Sequence, residues 1–307
     1  MAAVDEPAAQ TAAAHEPGTV AGSLSPSRAS DFMSCPLLYR FRVVDRIPER
    51  PSPAAVRGTV VHTVLDELYS LPAADRTPDR ALDLVRPAWQ TLRRTDPRLA
   101  GMFDAATSAE HEGPSPTATI SEPAWLAEIS RLVERYFLME DPRRLEPAAR
   151  ELRVHGTLAD GLVLRGYVDR LDVAPDGAVR VVDYKTGRSP RPGYEAKALF
   201  QVRFYALVLW MTRGRIPDLL LLMYLGDGQV VRDTPDAAAL LATRRKVEAV
   251  WQAITTARRT GQWQPRPSRL CDYCDHRVRC PAWGGTAPPL PEHDDPVVQV
   301  PVIEKTG

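Results

Sequence analysis

Lysine is scarce in this 307-residue chain, which holds 39 basic residues but only four lysines. The scarcity singles out each lysine, and Lys185 in particular, as a residue that needs an explanation. Net charge is also lacking, because 39 acidic residues balance the 39 basic ones. A neutral chain has no overall positive field to attract nucleic acid, so any such contact would need a local basic surface.

Long apolar segments are missing as well. No apolar run approaches the roughly 18 residues that span a bilayer, which argues against a membrane protein. The N-terminus lacks the basic stretch and apolar core of a secretory signal, so we expect a cytoplasmic protein. The chain also lacks the glycine-rich phosphate loop of ATP-driven motors.

Composition divides the chain into a folded part and two ends. Residues 1–24 are rich in Ala, Pro and Gly, and residues 284–307 are rich in Pro, so both are predicted to be disordered tails. The segment 25–283 between them is then one domain.

Helical spacing of apolar residues dominates the first half of this domain. A helix is predicted to begin near Ser27, a suitable N-cap, and Pro36 interrupts it or opens a second one. The next helix covers 58–70 and carries His62. Two further helical patterns make residues 71–145 an all-α insertion.

The core at about 150–260 changes to short β-branched segments. Three such segments follow one another, at 150–158, 163–173 and 179–184. Asp-Gly pairs separate them and favour tight turns, so three consecutive antiparallel strands are expected. A helix, a strand pair and a long helix follow, which predicts an α/β fold.

Two acidic residues and a lysine occupy the strands of this core. Asp169 lies in Gly-Tyr-Val-Asp-Arg-Leu-Asp, and Asp183 and Lys185 lie in Val-Val-Asp-Tyr-Lys-Thr-Gly. Strand side chains alternate, so Asp183 and Lys185 share a face. The hairpin can bring Asp169 beside Asp183 to hold Mg²⁺ or Mn²⁺, while Lys185 positions the attacking water. The alternative is an exposed cross-strand ion pair without a catalytic role.

These motifs resemble the core of the PD-(D/E)XK nuclease superfamily, specifically its RecB-like exonuclease branch. Gln201 and Tyr205 match the Q-x-x-x-Y motif of that branch, and residues 58–62 match its G-x-x-x-H. Val168 stands in place of the proline that gives the superfamily its name. The resemblance implies a restriction-endonuclease-like core, in which a helix, a three-stranded antiparallel meander, a second helix and further strands follow in order.

The resemblance also implies the roles of the site residues. The implied catalytic residues are Asp169, Asp183, Lys185, Gln201 and Tyr205. The implied metal ligands are His62, Asp169, Asp183 and the carbonyl of Tyr184. Glu151 matches an acidic position that some members have near the metal. Gln201 and Tyr205 are four residues apart and therefore lie on one face of their helix.

Four cysteines form a second constellation, because clustered cysteines in a cytoplasmic chain indicate a metal or cluster site rather than disulfides. They are Cys35, Cys271, Cys274 and Cys280. In the RecB-like branch, one early and three late cysteines hold a [4Fe-4S] cluster, and the resemblance implies the same here. The module 268–283 would then join Cys35 and staple the two ends of the domain. Structural zinc, with His276 as the fourth ligand, is the alternative.

Arginines after the last strand of the meander are the candidate DNA contacts. Arg188, Arg191 and Arg203 are predicted to bind DNA, with a solvated basic face as the alternative. The resemblance implies a metal-dependent nuclease that acts on single-stranded DNA or DNA ends in repair or recombination, with a separate helicase subunit as a partner. The alternative function is a catalytically silent DNA-binding or scaffolding subunit of a helicase-nuclease assembly.

Overall fold

The computed structural model describes residues 22–103 and 120–291. Its strands are β1 (Gly22–Leu24), β2 (Ala149–Thr157), β3 (Leu162–Val173), β4 (Val179–Lys185), β5 (Leu219–Tyr224) and β6 (Gln229–Asp233). Its α-helices are α1 (Pro26–Ser34), α2 (Pro36–Tyr39), α3 (Pro53–Ser70), α4 (Pro78–Thr95), α5 (Glu122–Met139), α6 (Ala196–Arg213) and α7 (Ala237–Thr260). These six strands and seven helices form a mixed α/β fold consistent with a restriction-endonuclease-like core.

The strands β2, β3 and β4 form the predicted antiparallel meander. Gly161 and Gly177 occupy the two tight turns with φ of +82° and +86°, a conformation that favours glycine. The strand β5 pairs in parallel with β4, and β6 pairs antiparallel with β5. The prediction of three antiparallel strands followed by a helix and a strand pair is therefore confirmed.

The central strand β3 pairs with two different strands along one of its edges, and we call the gap between those two strands the fork. The strand β2 pairs with it from 163 to 171, which occupies one edge along nearly its whole length. On the other edge, β1 pairs with 162–164 and β4 pairs with 170–173. Residues 165–169 pair with neither β1 nor β4 on this edge. They therefore border a gap in the sheet.

Helices cover both faces of the sheet. One core cluster packs α1, α6 and α7 against apolar residues such as Leu164, Val181 and Leu222. The other packs α3, α4 and α5 against residues such as Val182 and Met223. Neighbouring residues of β4 thus belong to opposite cores, as the alternation of strand side chains requires. Within the predicted all-α insertion, the described residues form α4 and α5, while 104–119 lie outside the described residues.

The sequence placed both ends of the domain inaccurately. The predicted tail 1–24 includes Gly22–Leu24, which form β1 and pair in parallel with β3. Helix α1 is capped by Ser25 rather than by Ser27, because the Ser25 hydroxyl accepts a 3.3 Å hydrogen bond from the amide of Arg28. Residues 1–21 lie outside the described residues.

The C-terminal tail also begins later than predicted. Ala287 packs on the core that contains α7, and the Pro288 carbonyl accepts a hydrogen bond from Arg40. Residues 284–291 therefore contact the domain, and 292–307 lie outside the described residues. Among the described helices, none is long and apolar enough to cross a membrane.

Candidate active site

The fork in β3 opens onto a cleft with a volume of about 970 Å³. Side chains from β3, α1, α6 and the segment between β4 and α6 line it. Asp169, Gln201 and Tyr205 are among these residues, so the cleft reaches three of the predicted site residues.

Asp183 and Lys185 form a close pair at the end of β4. The Lys185 Nζ lies 2.6 Å from the Asp183 Oδ2 and donates a 2.7 Å hydrogen bond to the Gln201 Oε1. The Gln201 amide donates to the Asp183 Oδ1 and to the Tyr205 hydroxyl, both at 2.9 Å. Gln201 thus holds the lysine, the carboxylate and the tyrosine in one network. The four residues lie together, as their motifs predict.

His62 and Asp169 meet on the other side of Asp183. Helix α3 carries His62, whose Nδ1 lies 3.4 Å from the Asp169 Oδ2 and whose Nε2 lies 3.1 Å from the Tyr184 carbonyl. The same Asp169 oxygen accepts a 2.7 Å hydrogen bond from the Tyr184 amide. These contacts bring the predicted ligand positions of helix and strand to one place.

Glu151 completes a compact set of donors. Among the described residues, the one group of three His, Cys, Asp or Glu side chains whose donor atoms all lie within 4.8 Å of one another is His62, Glu151 and Asp169. Glu151 has a φ of +41°, which is uncommon for a residue with a Cβ and costs backbone energy. The signal for Glu151 in the sequence is weak, because no turn or glycine marks this conformation within β2.

The electrostatics of the site follow from burial and from neighbouring charge. Burial and the adjacent Asp169 carboxylate raise the pKa of Asp183 to about 6, although Lys185 opposes the shift. Burial alone would lower the pKa of His62, but the hydrogen bond and charge of Asp169 outweigh it and raise that pKa. The site therefore holds more negative charge than Lys185 neutralises, a condition that a divalent cation relieves.

Gly166 allows helix α6 to approach β3 closely. A Cβ at this position would lie 2.5 Å from the Tyr205 Cε1, a separation that side-chain atoms do not reach. The glycine of the G-Y-V-D motif therefore makes room for the Tyr205 ring beside the site.

Arg170 anchors the site from the opposite face of the sheet. Its side chain is 1% exposed, donates to the hydroxyls of Tyr69 and Tyr184 at 2.7 and 2.6 Å, and pairs with Glu140 and with Asp172. Helix α3 carries Tyr69, and Glu140 follows α5. Arg170 thus joins the strands that carry Asp169 and Tyr184 to the helices behind them.

The predicted DNA-contacting arginines separate in the structure. Arg188 lines the cleft and Arg191 is exposed beside it. Arg203 does not line the cleft, because its guanidinium makes two 2.7 Å hydrogen bonds to Asp233 on β6. The prediction that Arg203 contacts DNA is therefore not supported. Helical spacing gave its position in the chain but not its partner.

The four cysteines line a second cavity. Cys35 lies at the junction of α1 and α2, and Cys271, Cys274 and Cys280 lie in the short helical turns after α7. All four are free thiols and line one cavity. Backbone amides of Arg266 and Ser268 donate hydrogen bonds to the sulfurs of Cys35 and Cys271, at 3.4 and 3.3 Å.

His276 lines the same cavity but has a different neighbour. It is buried, packs on the Phe41 ring at 5.2 Å, and has its Nε2 2.9 Å from a Glu49 carboxylate oxygen. Burial lowers its pKa, and Glu49 opposes the shift. The Glu49 contact involves Nε2, and Nδ1 is buried without a hydrogen-bond partner among the described residues, so a zinc site with His276 as its fourth ligand stays an alternative.

Comparison with known proteins agrees with this geometry. A family model described as the PD-(D/E)XK nuclease superfamily matches residues 23–281. The Gene 69 protein of Mycobacterium phage D29 is 26% identical over 278 residues, which are 84% of this chain and 96% of that protein. The Gene 69 protein of Mycobacterium phage L5 is 28% identical over 127 residues, 40% of this chain and 41% of that protein.

A solved structure is similar in fold. The crystal structure of a protein from Eubacterium rectale, named "Putative exonuclease", superposes with a TM-score of 0.52. The two chains are 13% identical, and the match covers 83% of this chain and 87% of the other. The likeness supports a common fold, and the family match confirms the superfamily that the sequence motifs indicated.

Proposed function

Because the chain belongs to the PD-(D/E)XK nuclease superfamily, we propose that it is a metal-dependent deoxyribonuclease of the RecB-like exonuclease type, acting on single-stranded DNA or DNA ends. The proposal rests on one observation, namely that a group of metal-binding side chains lies next to a carboxylate–lysine pair. His62, Glu151 and Asp169 form a compact donor set, and Asp183 with Lys185 adjoins it.

The residues present fit a divalent cation. Carboxylate and carbonyl oxygens are the ligands that Mg²⁺ prefers, and Mn²⁺ also accepts imidazole. His62, Asp169, Asp183 and the Tyr184 carbonyl would hold the ion, with Glu151 as a further ligand. The bound ion would polarise a phosphoryl oxygen and lower the pKa of a water molecule.

The side chains of the site supply positioning and charge. The ammonium of Lys185 is held in one direction by Asp183 and Gln201, so that it can hold the attacking water and offset charge that develops on the scissile phosphate. Gln201 is held in turn by the Tyr205 hydroxyl. Arg170 is a positioning residue, because it reaches the reaction only through Tyr184.

Binding of Mn²⁺ should weaken as the pH falls through the pKa values of His62 and Asp183. The pKa of His62 is raised above its usual 6.5 and that of Asp183 is raised to about 6, so protons compete with the cation for both groups. Each competing proton lowers the affinity about tenfold for each pH unit below the pKa of its group. Titration calorimetry at pH 7.5, 6 and 5 measures this dependence, and an affinity that is constant from 7.5 to 5 would contradict it.

The cysteine site (Cys35, Cys271, Cys274 and Cys280) is proposed to hold a [4Fe-4S] cluster. The four thiols line one cavity, and amide donors reach two of the sulfurs, as is common for cluster ligands. The cluster would join the start of the domain to the segment after α7 and so stabilise the fold.

Protein purified without oxygen should be brown and contain iron and acid-labile sulfide in equal amounts. Cys274→Ser should lose this colour and lower the melting temperature by about 10 °C or more, because a structural metal site contributes folding free energy. His276→Gln should keep its iron, since the four cysteines are the only ligands of the proposed cluster. A colourless protein that contains zinc and loses it in His276→Gln would refute the cluster.

The proposed setting is DNA repair or recombination, with a separate helicase subunit as a partner. A silent DNA-binding or scaffolding subunit is the competing function. The complete network of Asp183, Lys185, Gln201 and Tyr205 favours catalysis, because a site without a reaction has no need of a positioned lysine.

A time course on end-labelled linear and circular single-stranded DNA tests the proposal. With Mg²⁺ or Mn²⁺, a nuclease that acts at ends degrades the linear substrate and leaves the circle intact. Cleavage of both substrates would show internal cutting and remove the exonuclease assignment. Binding of both without cleavage would support the silent subunit instead.

A further inference from the structure

The walls of the cleft carry side chains that the proposed hydrolysis does not use. Four of them are cations, namely Arg153, Arg165, Arg188 and Lys197. Two are large exposed aromatics, Tyr167 and Tyr194, whose side chains are 57% and 74% exposed. Aromatic rings with this exposure gain little from packing within the fold. Exposed tyrosines next to cations therefore indicate a ligand-binding surface.

The four cations are available to an anion. In the described part of the chain, none of them forms an ion pair, whereas Arg203 on the nearby helix is bound by Asp233. The acidic residues of the cleft are Asp31 and Asp169. Asp31 pairs at 2.7 Å with Arg42, which it shares with Glu49, and Asp169 belongs to the donor set of the site.

A neighbour of the four cleft cations shows a further sign of uncompensated positive charge. The pKa of Arg28, on the first turn of α1, is lowered by burial and by the nearby charges of Arg165 and Arg46. Cations that repel one another favour a polyanion, and a nucleic-acid backbone is such a ligand.

The tyrosines lie among these cations rather than apart from them. Tyr167 is opposite Arg153 in the pairing of β2 with β3, and Arg165 is two residues before it on the same strand. Tyr167 also precedes Asp169 by two residues, which is roughly 6.6 Å along a strand. A base on Tyr167 would thus lie about one nucleotide from a phosphate held at Asp169.

Only a single-stranded nucleic acid can contact both the tyrosines and the cations of the cleft. In a duplex, each base is stacked and paired inside the helix, and its flat face is hidden from a protein side chain. In a single strand, each base can stack on a tyrosine while arginines and lysines follow the phosphates.

We propose that this cleft is a single-strand track, in which Tyr167 and Tyr194 stack bases while Arg153, Arg165, Arg188 and Lys197 contact the phosphates. The inference rests on the proposed nuclease function, because it names the form of DNA that reaches the Asp169 and Asp183 carboxylates. It goes beyond that function in assigning the bases, and not only the backbone, a part in binding.

The test measures binding apart from cleavage. Full-length, cluster-intact Lys185→Ala protein is titrated with labelled oligonucleotides of equal length in Ca²⁺. The oligonucleotides are a single strand, an abasic single strand and a duplex. The single strand should bind about 5- to 150-fold more tightly than the abasic strand, which is the range for stacking of one base.

Variants assign the preference to the tyrosines. Added to the Lys185→Ala protein, Tyr167→Ala and Tyr194→Ala should each reduce the advantage of the single strand over the abasic strand, whereas Tyr167→Phe should retain it. Tyr273→Ala is the matched control, because Tyr273 is 69% exposed but does not line the cleft. Arg153→Ala should weaken both strands and reduce the salt dependence of log K by about 0.7.

Two results would overturn the track. One is equal affinity for the single and abasic strands, and the other is tighter binding of the duplex. Cleavage by the wild-type protein in Mn²⁺, measured in parallel, separates the two proposals. If the single strand is cut without a base preference in binding, only the track fails. If the base preference is present without any cleavage, the nuclease function fails.

Discussion

Replacing Lys185 with alanine is expected to lower the rate of DNA cleavage by roughly 10²- to 10⁴-fold. The Lys185 ammonium pairs with Asp183, and Gln201 fixes its direction. The substitution removes the proposed group that positions the water and offsets charge on the phosphate at the carboxylates. The loss should appear in kcat, because the contact is made in the transition state rather than in substrate binding.

Binding of Mn²⁺ distinguishes this effect from loss of the metal site. Lys185→Ala removes a cation beside the carboxylates, so its affinity for Mn²⁺ should be equal to or higher than that of the wild type. The matched control is Lys246→Ala, whose ammonium lies 4.8 Å from the centre of the Phe200 ring and outside the cleft. Cleavage by Lys185→Ala at the rate of Lys246→Ala would contradict the assignment.

Replacing Arg170 with methionine is expected to lower the free energy of unfolding by roughly 3–5 kcal/mol. The substitution leaves the Glu140 and Asp172 carboxylates largely buried after removal of their buried partner. It also removes donors to the hydroxyls of Tyr69 and Tyr184. A loss of this size lowers the melting temperature by about 2–4 °C for each kcal/mol, which differential scanning calorimetry measures.

Arg180 provides the matched control for Arg170. It pairs with Asp172 at 2.7 Å and lies 3.8 Å from Glu140, but its side chain is 28% exposed. An ion pair open to solvent contributes about 0–1 kcal/mol, so Arg180→Met should change the melting temperature by a few degrees at most. Equal losses for Arg170→Met and Arg180→Met would contradict the central place given to Arg170.

The regular parts of the fold could be predicted because they repeat a local rule. Apolar alternation and Asp-Gly turns gave the meander from β2 to β4. Alternation also gave the common face of Asp183 and Lys185. The four-residue spacing of Gln201 and Tyr205 predicted one helical face for them, and in the fold the Gln201 amide donates a hydrogen bond to the Tyr205 hydroxyl.

The remaining features depend on contacts between distant segments. The three residues of β1 are too few to show a strand pattern, and they become a strand only because β3 offers a free edge. Arg170 reads as an exposed strand residue until α5 brings Glu140 to it. From the sequence alone, Arg203 is predicted to contact DNA, and only the fold shows that it pairs with Asp233 on β6.

The surface of the cleft likewise could not be predicted from the sequence. Tyr167 stands in the sequence as an ordinary strand aromatic, which is usually buried, whereas the fold leaves it exposed in the cleft that it lines. Arg153 becomes part of the same wall only through its pairing with Tyr167. The motif residues thus support the proposed reaction, and the tertiary fold supports the proposed form of the substrate.

The most direct test of the central claim is the initial rate of cleavage of a labelled single-stranded oligonucleotide by protein purified without oxygen, with Mn²⁺ and then with excess chelator. We predict rapid cleavage in Mn²⁺, none in chelator, and a loss of at least about a hundredfold in Asp183→Asn. Cleavage that persists in chelator, or an Asp183→Asn protein as active as the wild type, would contradict a metal-dependent nuclease at this site.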